Sequence, residues 1–382
     1  MSLVWLAVLR TAENTARIAR PSLSAAAAWK QSAAIARTSS WEHAAPGLCR
    51  ASHIHTFTAD MNWSAKLQRL LENFDITRIS FYHEKCKLFF VGDQHMGFIR
   101  PNDWIHLAPY KDAFQYDIKT NRVFLNPSWK TYEERSTKAA EVLQDLRKKK
   151  IFKTLNGWRN ECYEVSARFG DKSGMKMERS ATCLFGLKRY GVHINGYVKR
   201  PDGSMSVWFQ RRSATKETFP NKIDNMVTGG FCVGYTLTEC VRKEAQEEAS
   251  LPDHLLSAIR PAGNVSFVYE DDRGIFPETI FVFDLELPAD FEPHCSDNEV
   301  DNFYLMTIPE VKNLVLSEEF KITSCPILLD FLVRHHFLSP DDEPNYCQLM
   351  DTVHMPLHNF YPSAMVPTGE SKHRFHNNSS AI

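Results

Sequence analysis

Three glutamates carry the strongest chemical signal in the chain. Glu244, Glu247 and Glu248 stand at i, i+3 and i+4 in the run Lys243-Glu244-Ala245-Gln246-Glu247-Glu248-Ala249-Ser250-Leu251. On a helix, at about 100° per residue, they share an arc of roughly 100°, so their carboxylates can converge. Like charges at these spacings repel by about 0.2–0.5 kcal/mol per pair when solvated, and by more as they leave water. A bound cation reverses the sign. Hard oxygen donors without a neighbouring His or Cys set match Mg²⁺, with Mn²⁺ as the alternative. Such an ion holds a diphosphate, neutralises charge developing on it and acidifies a water. The plainer reading is an acidic, solvated helix face.

The surroundings bear on that choice. Gly229-Gly230 follow a segment at 223–228 that reads as a strand. Glycines there let backbone approach a ligand, and the loop runs on to a helix N-terminus, which favours phosphate. Arg211, Arg212 and Lys216 place three cations upstream. They can clamp phosphate oxygens, arginine bidentately, or serve as ordinary surface charge. The helix that must position the glutamates, 239–249, is well marked. Thr236 and Glu239 fit a capping box at its start, and Pro252 prevents its continuation.

At these residues the chain resembles the Nudix hydrolase family, whose signature is Gly-x5-Glu-x7-Arg-Glu-apolar-x-Glu-Glu-x-Gly-apolar. Gly229, Glu244, Ala245, Glu247, Glu248 and Leu251 match it. Tyr235, Lys243 and Ser250 stand where the first glutamate, the arginine and the second glycine are expected. The family's Glu/Arg pair ties loop to helix, so this loop needs another anchor. The helix end must do without the glycine that tolerates the left-handed conformation. The resemblance implies an α-β-α sandwich with a mixed sheet, metal binding by Glu244, Glu247 and Glu248, and hydrolysis of a diphosphate linkage in a small molecule.

A narrower likeness, to the thiamine-pyrophosphokinase-related Nudix proteins, runs from about residue 65 to 340. It is carried by Phe185-Gly186, Tyr190-Gly191-Val192-His193-Ile194-Asn195-Gly196-Tyr197, Arg211-Arg212-Ser213, the run from Lys243 to Pro252, and Gly157-Trp158-Arg159-Asn160-Glu161-Cys162-Tyr163. It implies thiamine diphosphate, or oxidised and damaged forms of it, cut to the monophosphate and phosphate. The general base does not transfer across the family, and Glu244 and Glu299 are the candidates. His193 and Asn195 alternate along one strand and can meet a substrate ring, or serve as satisfied core positions. Trp158 and Arg159 can reach the site from the first unit. Two other readings fit the same motifs. One is a Nudix-fold isopentenyl-diphosphate isomerase with Cys232 in its acid/base pair. The other is a non-catalytic diphosphate-binding module.

The remainder of the chain sets the frame. Its 382 residues, 43% hydrophobic and 24% charged, suit a soluble protein of two domains. A net charge of -1 offers no global field for nucleic acid or an acidic membrane, so neither is an expected partner. Nine cysteines without a Cys-x-x-Cys pair point to a reducing compartment. Residues 1–58 are rich in Arg, Ala and Ser, with Glu13 and Glu42 the acids. That composition fits a mitochondrial transit peptide, with a disordered leader, a plastid destination or a cytoplasmic protein as alternatives. An α+β unit is expected at 61–180, with helices at 63–73 and 132–150. The Nudix-like unit is expected at 183–338, and a disordered tail at 339–382.

Overall fold

The computed structural model describes residues 62–361 except 84 and 297, so the leader expected at 1–58 lies outside the described residues. Helices and strands alternate through two regions. The first contains helix α1 (Trp63–Leu71), strands β1 (Lys87–Val91) and β2 (Gln94–Ile99), and α2 (Pro101–Leu107). It continues with β3 (Phe114–Asp117), β4 (Arg122–Leu125), α3 (Tyr132–Lys148), β5 (Cys162–Val165) and β6 (Met175–Glu178). The second contains β7 (Arg189–Lys199), β8 (Met205–Arg212), β9 (Ile223–Asn225), β10 (Val227–Gly230), α4 (Leu237–Ala249) and α5 (Asp253–Leu256). It ends with β11 (Arg260–Asp271), β12 (Gly274–Glu286), β13 (Val300–Thr307), α6 (Ile308–Val315), α7 (Cys325–Arg334) and α8 (Tyr346–Val353).

The second region is a seven-stranded mixed sheet in the order β11-β12-β7-β8-β13, with β10 paired to β7 and β9 to β8. β12 runs parallel to β7, whereas the other pairs in this sheet are antiparallel. Alternation along the strands explains why the sheet needs cover on both faces. Val207 and Phe209 join one apolar cluster with α6, α7 and α8, while Trp208 joins another with Cys240, Val241, Ala245 and Ala249 of α4. The result is the mixed sheet between helices that the sequence leads one to expect. β7 and β8 pair only from Tyr197 to Lys199. Beyond that they diverge, and β9 and β10 occupy the gap.

The first region forms a four-stranded sheet, β2-β1-β4-β3, and a separate β5–β6 hairpin. Leu143 and Leu146 of α3 bury against Val123, Met175 and Met177. α1 behaves differently. Asn62 caps it by accepting from the Ala65 amide at 2.9 Å, and its Leu67 and Leu71 enter the apolar cluster of the second region. Trp63 Nε1 donates to the Lys312 carbonyl at 3.2 Å, Ser64 to Glu343 at 2.9 Å, and Asn345 to the Ser64 carbonyl at 3.0 Å.

The expectation of a disordered tail from 339 fails for residues 340–361. α8 places fully buried Leu349 and Val353 in the main core, and Tyr361 donates from its hydroxyl to the Gly186 carbonyl at 2.9 Å. The polar composition there hid a sparse apolar spacing that one packed face suffices to order. Residues 362–382 lie outside the described residues. Among the described residues no helix is long and apolar enough to cross a membrane.

Candidate functional site

The helix bearing the glutamates is built as its sequence dictates. Thr236 Oγ1 accepts from the Glu239 amide at 3.3 Å, and Glu239 accepts from the Thr236 amide at 2.7 Å, closing the capping box. Ser250 caps the other end in the left-handed region at φ +49°, a strained choice for a residue with a β-carbon. Between the ends, Val241, Ala245 and Ala249 seal the helix onto the sheet. This rotation turns Glu244 and Glu248 inward and leaves Glu247 outside: Glu248 is 2% exposed, the Glu244 side chain 15% and the Glu247 side chain 44%.

Each carboxylate has a distinct setting. Glu248 accepts from the Thr228 amide at 2.7 Å and from Gln210 Nε2 at 2.9 Å. Burial, then repulsion from Glu244, pushes its carboxyl up to about 8. Burial also raises Glu244, against the pull of Lys243 and Arg179. Glu244 lies directly on Gly229, where an added β-carbon would overlap its Cγ and Cδ. Glu247 is drawn aside by Lys243, whose Nζ sits 2.6 Å from Glu247 and 3.4 Å from Glu244.

The expected convergence of three carboxylates is therefore only partly present. Among the described residues, no three His, Cys, Asp or Glu side chains stand together as a ready metal-binding set. The donor chemistry nevertheless fits a hard divalent cation. Two enclosed carboxylates of like charge raise one another's cost of ionisation, and a cation between them relieves it. Glu247 can join them only by leaving Lys243.

Lys243 also bears on the loop. With tyrosine at position 235, no Glu/Arg tie exists. Lys243 instead lies 6.0 Å from the Tyr235 ring centroid, a long cation–π approach. The loop's firmer anchor is backbone. Phe231 N–H donates to Tyr190 O at 2.9 Å, and Val233 N–H donates to Cys162 O on β5 at 3.0 Å.

The glutamates border a cavity of about 840 Å³, which His193, Arg212, Lys216, Gly229, Gly230 and Glu299 also line. Lys216 and Glu299 form an ion pair in its lining. His193 is buried, its Nδ1 is 3.2 Å from Asn225 Oδ1, and burial lowers its pKa to about 4, so the ring is neutral. Arg212 borders the cavity with much of its guanidinium already engaged. It donates to Asp224 at 3.2 Å, to the Phe219 carbonyl at 3.2 Å and to the Thr218 carbonyl at 3.1 Å. Asp224 is fully buried. Desolvation alone would raise its carboxyl, but Lys321, at 2.8 Å, and then Arg212 hold it below the ordinary range.

Two expected binding residues do not border the cavity. Arg211 points to the opposite face of β8, where it donates to the Tyr304 hydroxyl at 3.0 Å and pairs with Glu319 at 3.2 Å. Alternation requires this once Arg212 faces the cavity. Asn195 has no exposed surface and is spent on Asp284 at 3.1 Å and Asn225 at 2.7 Å.

Sequence reasoning missed most of the cavity's other wall. It comes from the first region and the start of β7: Lys153, Arg159, Tyr163, Arg179, Ser180 and Arg189. Tyr163 and Arg179 press on Gly230 as Glu244 presses on Gly229. An added β-carbon at Gly230 would overlap the Tyr163 hydroxyl and lie 3.1 Å from Arg179 Cζ. The paired glycines are thus a seam along which both regions reach the same cavity. Of the two residues expected to reach across, Arg159 borders it and Trp158 does not. Trp158 instead stacks beneath Arg147 at 5.2 Å and donates to Asn160 at 2.9 Å.

Comparison with known proteins matches two family models to successive parts of the chain. A family described as a domain of unknown function (DUF4743) matches residues 66–189, and the NUDIX domain family matches residues 189–324. The chain is 36% identical over 262 residues to Nudix hydrolase 24, chloroplastic, of Arabidopsis thaliana, spanning 68% of this chain and 70% of that protein. Nudix hydrolase 20, chloroplastic, of the same plant is 33% identical over 261 residues, spanning 66% and 69%. An uncharacterised protein of Saccharomyces cerevisiae is 32% identical over 261 residues, spanning 65% and 75%. By the length and identity of these matches, together with the helix that carries Glu244, Glu247 and Glu248, the chain belongs to the Nudix hydrolases, which act on diphosphate linkages.

Proposed function

We propose that the chain hydrolyses thiamine diphosphate, or oxidised and damaged forms of it, to the monophosphate and phosphate in a Mg²⁺-dependent reaction. The observation that carries this reading is the pair of enclosed carboxylates, Glu244 and Glu248, beside a cavity otherwise rich in arginine and lysine. Tyr163, Tyr190, Phe219 and Phe276 also border the cavity, and they suit a substituent with flat rings. Its volume, about 840 Å³, falls within the usual range for small-molecule sites.

Glu248 and Glu244 would hold the ion, with Glu247 joining on release from Lys243, and Mn²⁺ is the alternative metal. Bound there, the ion supplies charge neutralisation for the diphosphate and polarisation of the attacking water. The chain's own groups do the rest. Lys216 would bind phosphate oxygens, with Arg212 holding the 218–219 loop beside it. Glu299, paired with Lys216 at the cavity, would accept the water's proton, with Glu244 the alternative base where it does not hold the ion.

The test is Mg²⁺-dependent phosphate release across thiamine, nucleotide-sugar, coenzyme A and dinucleotide diphosphates. Thiamine-type substrates should lead, and Glu248→Gln should lower the rate by about 100-fold or more. An unchanged rate in that variant would refute the assignment of the site. For location, the Arg-rich, acid-poor leader supports mitochondrial import, and the plant relatives' names support an organelle. A fluorescent protein fused behind residues 1–58 should enter mitochondria, and diffuse cytosolic signal would overturn that destination.

A further inference from the structure

The cavity wall supplied by residues 153–189 has more donors than acceptors. Lys153 pairs with Asp272 at 2.8 Å, Arg179 with Glu161 at 2.9 Å, and Arg189 with Glu278 at 3.5 Å. Arg159 has no such partner among the described residues. Its guanidinium donates a single hydrogen bond, to Thr218 Oγ1 at 3.3 Å, and its other donors are unused. Burial, then the neighbouring Arg179, disfavour its charged form, and the Glu161 carboxylate, itself paired with Arg179, offsets them only in part. A guanidinium does not escape by losing its proton, so the folded chain keeps at the cavity a partly desolvated cation with no ion-pair partner of its own. The deficit extends along the wall, where Ser180 Oγ and Arg189 Nε are buried without any hydrogen-bond partner. Protein groups alone leave this wall short of acceptors and of negative charge.

We propose that Arg159 is an anion-binding residue that grips phosphoryl oxygens of the substrate from the wall supplied by the first region. This assigns a role to the segment matching the domain of unknown function: it is part of the binding site, completing a cavity whose glutamates lie on the other region. The inference rests on the reading of the cavity as a diphosphate site. A planar fork of N–H donors matches the spacing of phosphoryl oxygens, and an incoming polyanion supplies both the charge and the acceptors that the wall lacks.

The test titrates inorganic diphosphate into the full chain by calorimetry, in metal-free buffer and with Mg²⁺. Arg159→Gln should weaken binding by about tenfold or more, a change typical of losing one charge-assisted contact. Arg159→Lys should keep part of the affinity. Arg122→Gln, outside the cavity lining, should bind like the wild type. The melting temperature without ligand separates this role from a structural one. Removing an unpaired, partly buried charge should leave it equal or higher, whereas loss of a structural contact lowers it. Equal diphosphate affinity in Arg159→Gln and wild type would overturn the inference and leave the diphosphate reading intact. Absence of binding by the wild type, with and without Mg²⁺, would overturn both.

Discussion

Glu244 and Gly229 are packed so closely that no β-carbon fits between them. The first glycine of the pair is thus the floor on which one enclosed carboxylate rests, as well as a flexible turn. Gly229→Ala should displace the Glu244 carboxylate and lower kcat/KM by about tenfold or more, at a stability cost of about 1–3 kcal/mol for overpacking. Steady-state kinetics beside thermal melting checks this. Normal kinetics would show that the position of Glu244 is not critical.

Glu248 gives a pH dependence whose sign is opposite to that of an ordinary carboxylate. Its folded pKa, about 8, lies above the ordinary value of 4.5 because of burial and then Glu244. Its contribution to stability is therefore present below about 4.5 and is lost as pH rises through about 8. His193 acts the other way. With its pKa lowered to about 4, its contribution is present above 6.5 and is lost as pH falls toward 4. Comparing variants cancels the histidine. Between about pH 5.5 and about pH 8.5, metal-free wild type should lose more melting temperature than Glu248→Gln does, and Mg²⁺ should restore the difference. Parallel melting curves would exclude a strongly raised Glu248.

Ser250 holds the left-handed cap of α4 at φ +49°. Glycine adopts that conformation without a β-carbon penalty, so Ser250→Gly should stabilise the protein by about 0.5–1 kcal/mol. Denaturant unfolding measures it. A loss of stability would show that the serine side chain contributes more than its backbone strain costs.

Leu349 and Val353 have no exposed surface and join the largest apolar cluster. Leu349→Ala should cost about 2–5 kcal/mol, and truncation after residue 339 should cost more. Melting temperature and soluble yield report both, and an unaltered truncated protein would mean that α8 is dispensable.

What could be read in the sequence was local. Thr236, Glu239 and the spacing of Glu244, Glu247 and Glu248 lie within a few residues of one another, where helix geometry alone relates them. Val207 and Phe209 stand two apart on one strand, and that spacing already assigned Arg211 to their face and away from Arg212. The signal was present but needed knowledge of which face the cavity occupies. Arg159, Tyr163 and Arg179 reach Gly230 and Thr218 across some 50–70 positions of sequence, and no short-range pattern encodes such an approach. The pull of Lys243 on Glu247 is local, yet it depends on rotamers that spacing does not fix.

α1 has its partners at the far end of the chain, where Lys312, Glu343, Asn345, Leu349 and Val353 receive it. A ribosome delivers those partners about 250 to 280 residues after α1 itself. The apolar stripe of Leu67 and Leu71 consequently stays unsheltered for most of translation. Chaperone capture should concentrate there, and completion of the fold awaits the final quarter of the polypeptide.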